Sequence, residues 1–137
     1  MKKRVITLAI AAIAASLLLV ACGGDDDDAS PTQEVDVKLS SFKVVPDKTV
    51  VEAGKVKFTA TNTEPVDVHE LAVLKVNGPD DYENLGEVED IDPGKGGDVT
   101  LDLEPGEYLL ACLIAPGEAG SKVDHFQEGM KIEFTVK

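Results

Sequence analysis

Four stretches of strict alternation constrain what this 137-residue chain can become. Val35, Val37 and Leu39 alternate with polar residues, and so do Val56, Phe58 and Ala60. Val99, Leu101 and Leu103 form a third run, and Ile132, Phe134 and Val136 a fourth. Side chains of an extended chain point to opposite faces with period two, so each run is a strand with one buried and one wet face. Between the runs stand Glu52-Ala53-Gly54-Lys55, Asn77-Gly78-Pro79-Asp80, Asp92-Pro93-Gly94-Lys95 and Glu104-Pro105-Gly106-Glu107. Their Gly and Pro residues mark the places where the backbone turns. Two other stretches, 66–76 and 108–114, are more continuously apolar and read as central strands covered on both sides. One short helix is expected, near 80–85. The pattern predicts an all-β sandwich.

That sandwich takes residues 34–137, enough chain for one core and too little for two. The beginning of the chain has another character. Lys2, Lys3 and Arg4 precede an unbroken apolar run over 5–21 that ends at Cys22, the pattern of a signal peptide over residues 1–21. Leu19-Val20-Ala21-Cys22 resembles the lipobox of bacterial lipoproteins, which implies cleavage before Cys22 and a lipid on its sulfur. The competing reading is a transmembrane anchor, but the run is Ala-rich and short for a bilayer span. Residues 22–33, with Asp25 to Asp28 followed by Ala29, Ser30, Pro31 and Thr32, hold too little apolar surface to fold. They read as an acidic flexible tether reaching ~40 Å when extended. Four adjacent carboxylates without a Gly-spaced loop are solvated charge rather than a calcium site. The expected location is the extracytoplasmic face of a bacterial membrane, held by the lipid alone, and the expected state is a monomer.

Loss of Lys2, Lys3 and Arg4 reduces the 13 basic residues to 10, against 26 acidic ones. Such a surface excludes nucleic acid as a partner. It either attracts a basic protein or serves solubility.

Lipidation of Cys22 leaves Cys112 with no disulfide partner in the chain. In an oxidising compartment a lone thiol is a liability unless buried or bound to a metal. The chain has two histidines, His69 and His125, and apart from Met1 a single methionine, Met130. Each has an ordinary reading by itself: a surface or satisfied core imidazole, a buried thiol, a core thioether. Together they make one thiolate, two imidazoles and one thioether. Imidazoles suit Cu(II) while thiolate and thioether suit Cu(I), so the set selects copper and tolerates both oxidation states.

Other chemistries leave no trace. His69-Glu70 begins like a zinc-protease helix motif, but Val73 stands where its second His belongs. Gly94-Lys95-Gly96-Gly97 lacks the spacing of a phosphate loop and reads as a turn. There is no nucleophile elbow, and Ser121 has no base within reach of the pattern except His125. An enzyme is not indicated.

Phe42-Lys43-Val44-Val45-Pro46, then Val51 through Phe58, and Asn62 to His69 resemble the first half of a cupredoxin. Pro105-Gly106-Glu107-Tyr108 leading to Cys112, followed by His125-Phe126-Gln127-Glu128-Gly129-Met130 and a closing strand, resembles the second half. The resemblance implies a Greek-key β-sandwich of about seven to eight strands and one mononuclear type 1-like copper site. By the same resemblance His69, Cys112 and His125 are ligands and Met130 is axial. The exposed edge of His125 would pass single electrons, with Ala115, Pro116 and Phe126 as an apolar patch around it and the acidic surface steering a basic extracytoplasmic redox protein.

Two departures stand out. Twelve residues separate Cys112 from His125, where cupredoxins usually have two to four, whereas the four between His125 and Met130 match. The longer loop costs roughly 1.6 kcal/mol of closure entropy, against roughly 10 kcal/mol from a tight metal site. Glu70 occupies the position of an Asn that commonly ties the ligand loops together. Its carboxylate is expected to hydrogen-bond across the loops, to become a further ligand or to disfavour reduction. A copper-sequestering or copper-delivery lipoprotein, and a metal-free interaction module of the same fold, stay open as alternatives.

Overall fold

Alternation in the sequence becomes pleat in the structure. Along β1 (Gln33–Ser40), Val35, Val37 and Leu39 are buried while their neighbours face solvent, and Val56, Phe58 and Ala60 do the same in β4 (Gly54–Asn62). The structure is a computed structural model that describes residues 31–137. The expected signal peptide, Cys22 and all but the end of the expected tether lie outside the described residues. Gln33, read from sequence as the last tether residue, belongs to β1: its side-chain amide donates to Glu52 O at 2.7 Å and accepts from Glu52 N at 2.9 Å. No helix of the described residues is long and apolar enough to cross a membrane.

Among the described residues nine strands form two sheets. The four-stranded sheet runs β2 (Lys43–Pro46), β1, β4, β7 (Gly96–Leu103). The five-stranded sheet runs β3 (Val50–Val51), β9 (Lys131–Val136), β8 (Gly106–Ala111), β5 (His69–Gly78), β6 (Asp81–Ile91). The β1–β4 and β3–β9 pairs are parallel and the others antiparallel. The count exceeds the expected seven to eight because the chain spends only two residues, Val50 and Val51, on β3.

The inner faces meet in one core, where the rings of Phe58 and Phe134 pack edge-on across the sandwich with centroids 5.4 Å apart. Tyr108 is buried there too, and its hydroxyl finds an acceptor in Glu104 O at 2.8 Å. As the more continuously apolar stretches predict, β5 and β8 are interior strands with two apolar faces. Leu71, Val73, Tyr108 and Leu110 enter the main core, while Ala72, Leu74, Leu109 and Ala111 form a second cluster on the outer face.

Two expectations change. The segment 80–85 is not helical: Pro79 and the left-handed Asp80 (φ 55°) make a two-residue turn that reverses the chain, so β6 pairs with β5 from Gly78 and Asp81 onward. The strand expected to begin at Val66 begins at His69, because the preceding residues turn back to meet Asn62 and leave Val66 76% exposed.

β6 and β7 are edges of different sheets and close one side of the sandwich. Gly97 lies so close to β6 that a Cβ there would sit 2.5 Å from a methyl of Val88. At neighbouring Gly96 a Cβ would meet the backbone oxygen of Ala60 at 2.5 Å, whereas Gly78 has open space. Gly96→Ala is expected to lower stability by about 1–3 kcal/mol, and Gly78→Ala to stay within about 0.5 kcal/mol of the parent. Urea unfolding of the three proteins measures both.

Candidate metal centre

The inner face of β5 continues outward from Val73 through Leu71 to His69, and that of β8 from Tyr108 through Leu110 to Cys112. Period two thus delivers an imidazole and a thiol to the same end of the core. His125 and Met130 come from the segment between β8 and β9, and three backbone hydrogen bonds fix their return. His125 N donates to Ile114 O at 2.9 Å, Met130 N to His125 O at 2.9 Å, and Cys112 N to Met130 O at 3.0 Å.

The donor atoms of His69, Cys112 and His125 all lie within 4.8 Å of one another, and the three residues are 1%, 0% and 3% exposed. Cys112 is a free thiol whose Sγ is 3.4 Å from His125 Nδ1. Met130 is fully buried in the same core and is joined through its backbone to both Cys112 and His125. Among the described residues, neither ring nitrogen of His69 has a hydrogen-bond partner. A buried polar group left without one costs about 1–3 kcal/mol, and core positions seldom tolerate that unless something else occupies the site. The residues present fit a metal: an unpartnered imidazole faces a second imidazole, 5.2 Å between ring centroids, beside a thiol.

Burial sets the protonation of the site. It pushes the Cys112 thiol up from 9.0 to about 11, although the backbone N–H groups of Ile114 and Glu70 directed at the sulfur pull the other way. It holds His69 below its ordinary 6.5, helped by the neighbouring His125 and opposed by Glu64 and Asp67. Burial lowers His125 as well, against Asp67 and Asp124. At neutral pH the site therefore holds two neutral imidazoles and one protonated thiol, a single proton away from a ligand set.

Glu70 takes the first of the roles expected of it. Its Oε1 accepts from Leu113 N at 2.7 Å, and its own N–H points at Cys112 Sγ at 3.4 Å, so the residue stitches the His69 strand to the Cys112 strand. It stands outside the cluster of three donors. Burial pushes its carboxyl pKa up, while the Leu113 N–H bond works in the opposite sense.

The twelve intervening residues form a wound excursion. Ala115 N donates to Glu118 Oε2 at 2.9 Å, Glu118 N to Ala115 O at 3.1 Å, and Gly117 N to Ser121 O at 2.9 Å. This excursion alters the expected surroundings of His125, whose edge is buried rather than exposed. Nε2 lies 3.1 Å from Ser121 Oγ, and the ring of Phe42 stands edge-on to the imidazole at 5.2 Å. Phe126 does not join a patch there. It packs on the outer face of the five-stranded sheet beside Tyr82 and under Lys131 Nζ, 3.7 Å above its ring. Two clefts reach His125: one of about 280 Å³ with Phe42 and Val123 as its large apolar side chains, and one of about 200 Å³ beside Val66 and Val68.

Residues with no metal-ligating chemistry turn out to position the donors. Asn62 is fully buried and donates to Asp67 O and Ile91 O, both at 2.8 Å, while its Oδ1 accepts from Glu64 N at 2.9 Å. Asp67 precedes His69 and Ile91 pairs with it across β5 and β6, so one amide holds both flanks of the imidazole. Glu64 in turn accepts from the backbone and hydroxyl of Ser41, next to Phe42, which adopts a left-handed φ of 57°. A polar Asn ending an otherwise alternating strand was the available signal for Asn62; Phe42 offered none.

The cupredoxin-like domain family matches the chain over residues 9–122, a span that includes His69 and Cys112 and stops short of His125 and Met130. No curated protein sequence matches the chain. Among solved structures, dithionite-reduced auracyanin from Roseiflexus castenholzii is similar with a TM-score of 0.57 at 22% identity, over 80% of this chain and 98% of that one. Auracyanin A from Chloroflexus aurantiacus, described as a blue copper protein, gives 0.55 at 16% identity, over 78% and 100%. Rusticyanin from Thiobacillus ferrooxidans gives 0.50 at 21% identity, over 77% of each chain. At these identities the likeness concerns the fold.

Two measurements test the site. With the imidazoles already neutral and the thiol protonated up to about 11, metal binding between about pH 7 and 9 must expel one proton. Affinity in a chelator competition is then expected to rise about tenfold per pH unit. Asn62→Ala strands two carbonyls and is expected to lower the stability of the metal-free protein by about 1–3 kcal/mol in urea unfolding.

Proposed function

We propose, on the premise that this chain belongs to the cupredoxin-like family, that it holds one copper ion and carries single electrons between extracytoplasmic redox partners. The observation that carries this reading is the buried cluster of His69, Cys112 and His125 with both nitrogens of His69 unpartnered. These three residues would hold the copper, with the buried thioether of Met130 as a further, weaker donor. When bound, copper supplies a one-electron couple. The protein supplies a frame that need not move between the two states. Glu70 ties the His69 and Cys112 strands together, and the hydrogen bonds joining Ile114, His125, Met130 and Cys112 hold the remaining donors.

Burial of every donor favours electron passage over catalysis on a substrate, because electrons cross a protein wall that a substrate would have to open. The same wound, hydrogen-bonded excursion weighs against a site built to hand over its metal. A metal-free interaction module would leave the unpartnered imidazole of His69 without a purpose.

The charged first residues, apolar run and Cys22 support a lipid-anchored protein on the outer side of a bacterial membrane, with residues 22–33 as its tether. The excess of 26 acidic over 13 basic residues supports a basic redox partner brought in by electrostatic steering.

Addition of Cu(II) to the metal-free protein is expected to produce an intense visible thiolate-to-copper charge-transfer band. The band should vanish in Cys112→Ser while circular dichroism stays that of a β-protein. A wild-type protein that takes up no copper, or takes it up without the band, contradicts the proposal.

A further inference from the structure

We propose that Ser121, carried on the excursion between Cys112 and His125, is a positioning residue for the metal centre: its hydroxyl oxygen accepts the Nε2–H of His125 and so fixes the tautomer that leaves Nδ1 bare toward Cys112. The inference deepens the copper reading and rests on it only for the effect on metal affinity.

The assignment follows from counting protons. Ser121 Oγ has three polar neighbours: Val123 O at 2.9 Å, Val123 N at 3.2 Å and His125 Nε2 at 3.1 Å. A hydroxyl has one proton to give and two lone pairs to receive. Val123 O can only accept, so it takes the hydroxyl proton. Val123 N–H occupies one lone pair. The remaining lone pair faces Nε2, which must bring its own hydrogen. A neutral imidazole carries only one N–H, so Nδ1 is left unprotonated, 3.4 Å from Cys112 Sγ and inside the donor cluster.

The surrounding chain holds this arrangement in place. Ser121 N donates to Glu118 O at 2.8 Å and Ser121 O accepts from Gly117 N at 2.9 Å. Left-handed backbone at Gly117, Ala119 and Gly120 winds the loop back toward His125. The imidazole cannot turn away to another partner, because Phe42 stands edge-on to it at 5.2 Å and His69 packs against it at 5.2 Å. A histidine ligand is normally oriented by the partner of its second nitrogen. Here that partner is a side chain of the inserted loop, which also covers the edge of the ring.

The tautomer can be read in the ¹⁵N-labelled, metal-free protein by long-range proton–nitrogen correlation in mildly alkaline buffer. A single Nε2–H form of His125 is expected. Ser121→Ala is expected to give a mixture of tautomers and a loss of about 10–100-fold in Cu(II) affinity by chelator competition, with Ser121→Thr close to the parent on both counts. A wild-type His125 that is mainly Nδ1–H overturns the proposal, and so does a Ser121→Ala protein with unchanged tautomer and affinity. The tautomer is measured without metal. Failure of the copper band therefore counts against the copper reading, and a wrong tautomer counts against Ser121.

Discussion

The antiparallel pairing of β5 with β8 is the constraint on which the rest depends. Ala72 faces Ala111 and Val73 faces Leu110, so Leu71 and Cys112 come opposite each other, and Glu70 opposite Leu113. The Leu113 N–H bond to Glu70 Oε1 and the Glu70 N–H directed at Cys112 Sγ prolong this ladder past the last formal pair. A slip of one residue would turn either His69 or Cys112 to the outer face. The register is secured by burial: Leu71, Val73 and Leu110 fill one side and Ala72, Leu74 and Leu109 the other, so either strand loses apolar contacts on both faces if it shifts.

That frame sustains an unfavourable local arrangement. An imidazole buried without partners opposes folding of the metal-free chain, and the buried thiol of Cys112 adds to this only above about pH 9, where an unfolded chain would ionise it. Compensation comes from the satisfied polar groups that surround the donors. Asn62 uses both amide hydrogens and its oxygen, and Cys112, His125 and Met130 share backbone bonds with one another and with Ile114. The donors are thereby held near one another before any metal arrives, which is how a preorganised site differs from one that assembles on binding.

Glu70 and the excursion after Cys112 shape the surroundings of the donors in different ways. The carboxylate supplies an acceptor for a backbone N–H that an apolar residue could not serve. The excursion puts Ser121 against the edge of His125 and leaves narrow clefts beside Phe42 and Val123 and beside Val66 and Val68. Both act on the surroundings of the donors and leave the donors where the strands put them.

Much of this could be read in the sequence because it depends on local periodicity and on residue scarcity. Alternation placed the buried faces of β1, β4, β7 and β9, whereas His69 and Cys112 belong to stretches apolar on both faces and were picked out by residue scarcity and by the resemblance to cupredoxins. Two histidines, one thiol without a partner and one internal methionine left few ways to compose a metal site. The helix expected at 80–85 failed because a two-residue turn at Pro79 and Asp80 outweighed a weak local preference. The sequence by itself determined the strand faces and the donor set, which follow from the two-residue repeat of an extended chain and the chemistry of four side chains. Only the tertiary structure decided that Asn62 holds the flanks of His69, that Phe126 faces away from the site and that Ser121 and Phe42 enclose His125. Those contacts join residues from separate turns and strands, and no local pattern encodes the distance between them.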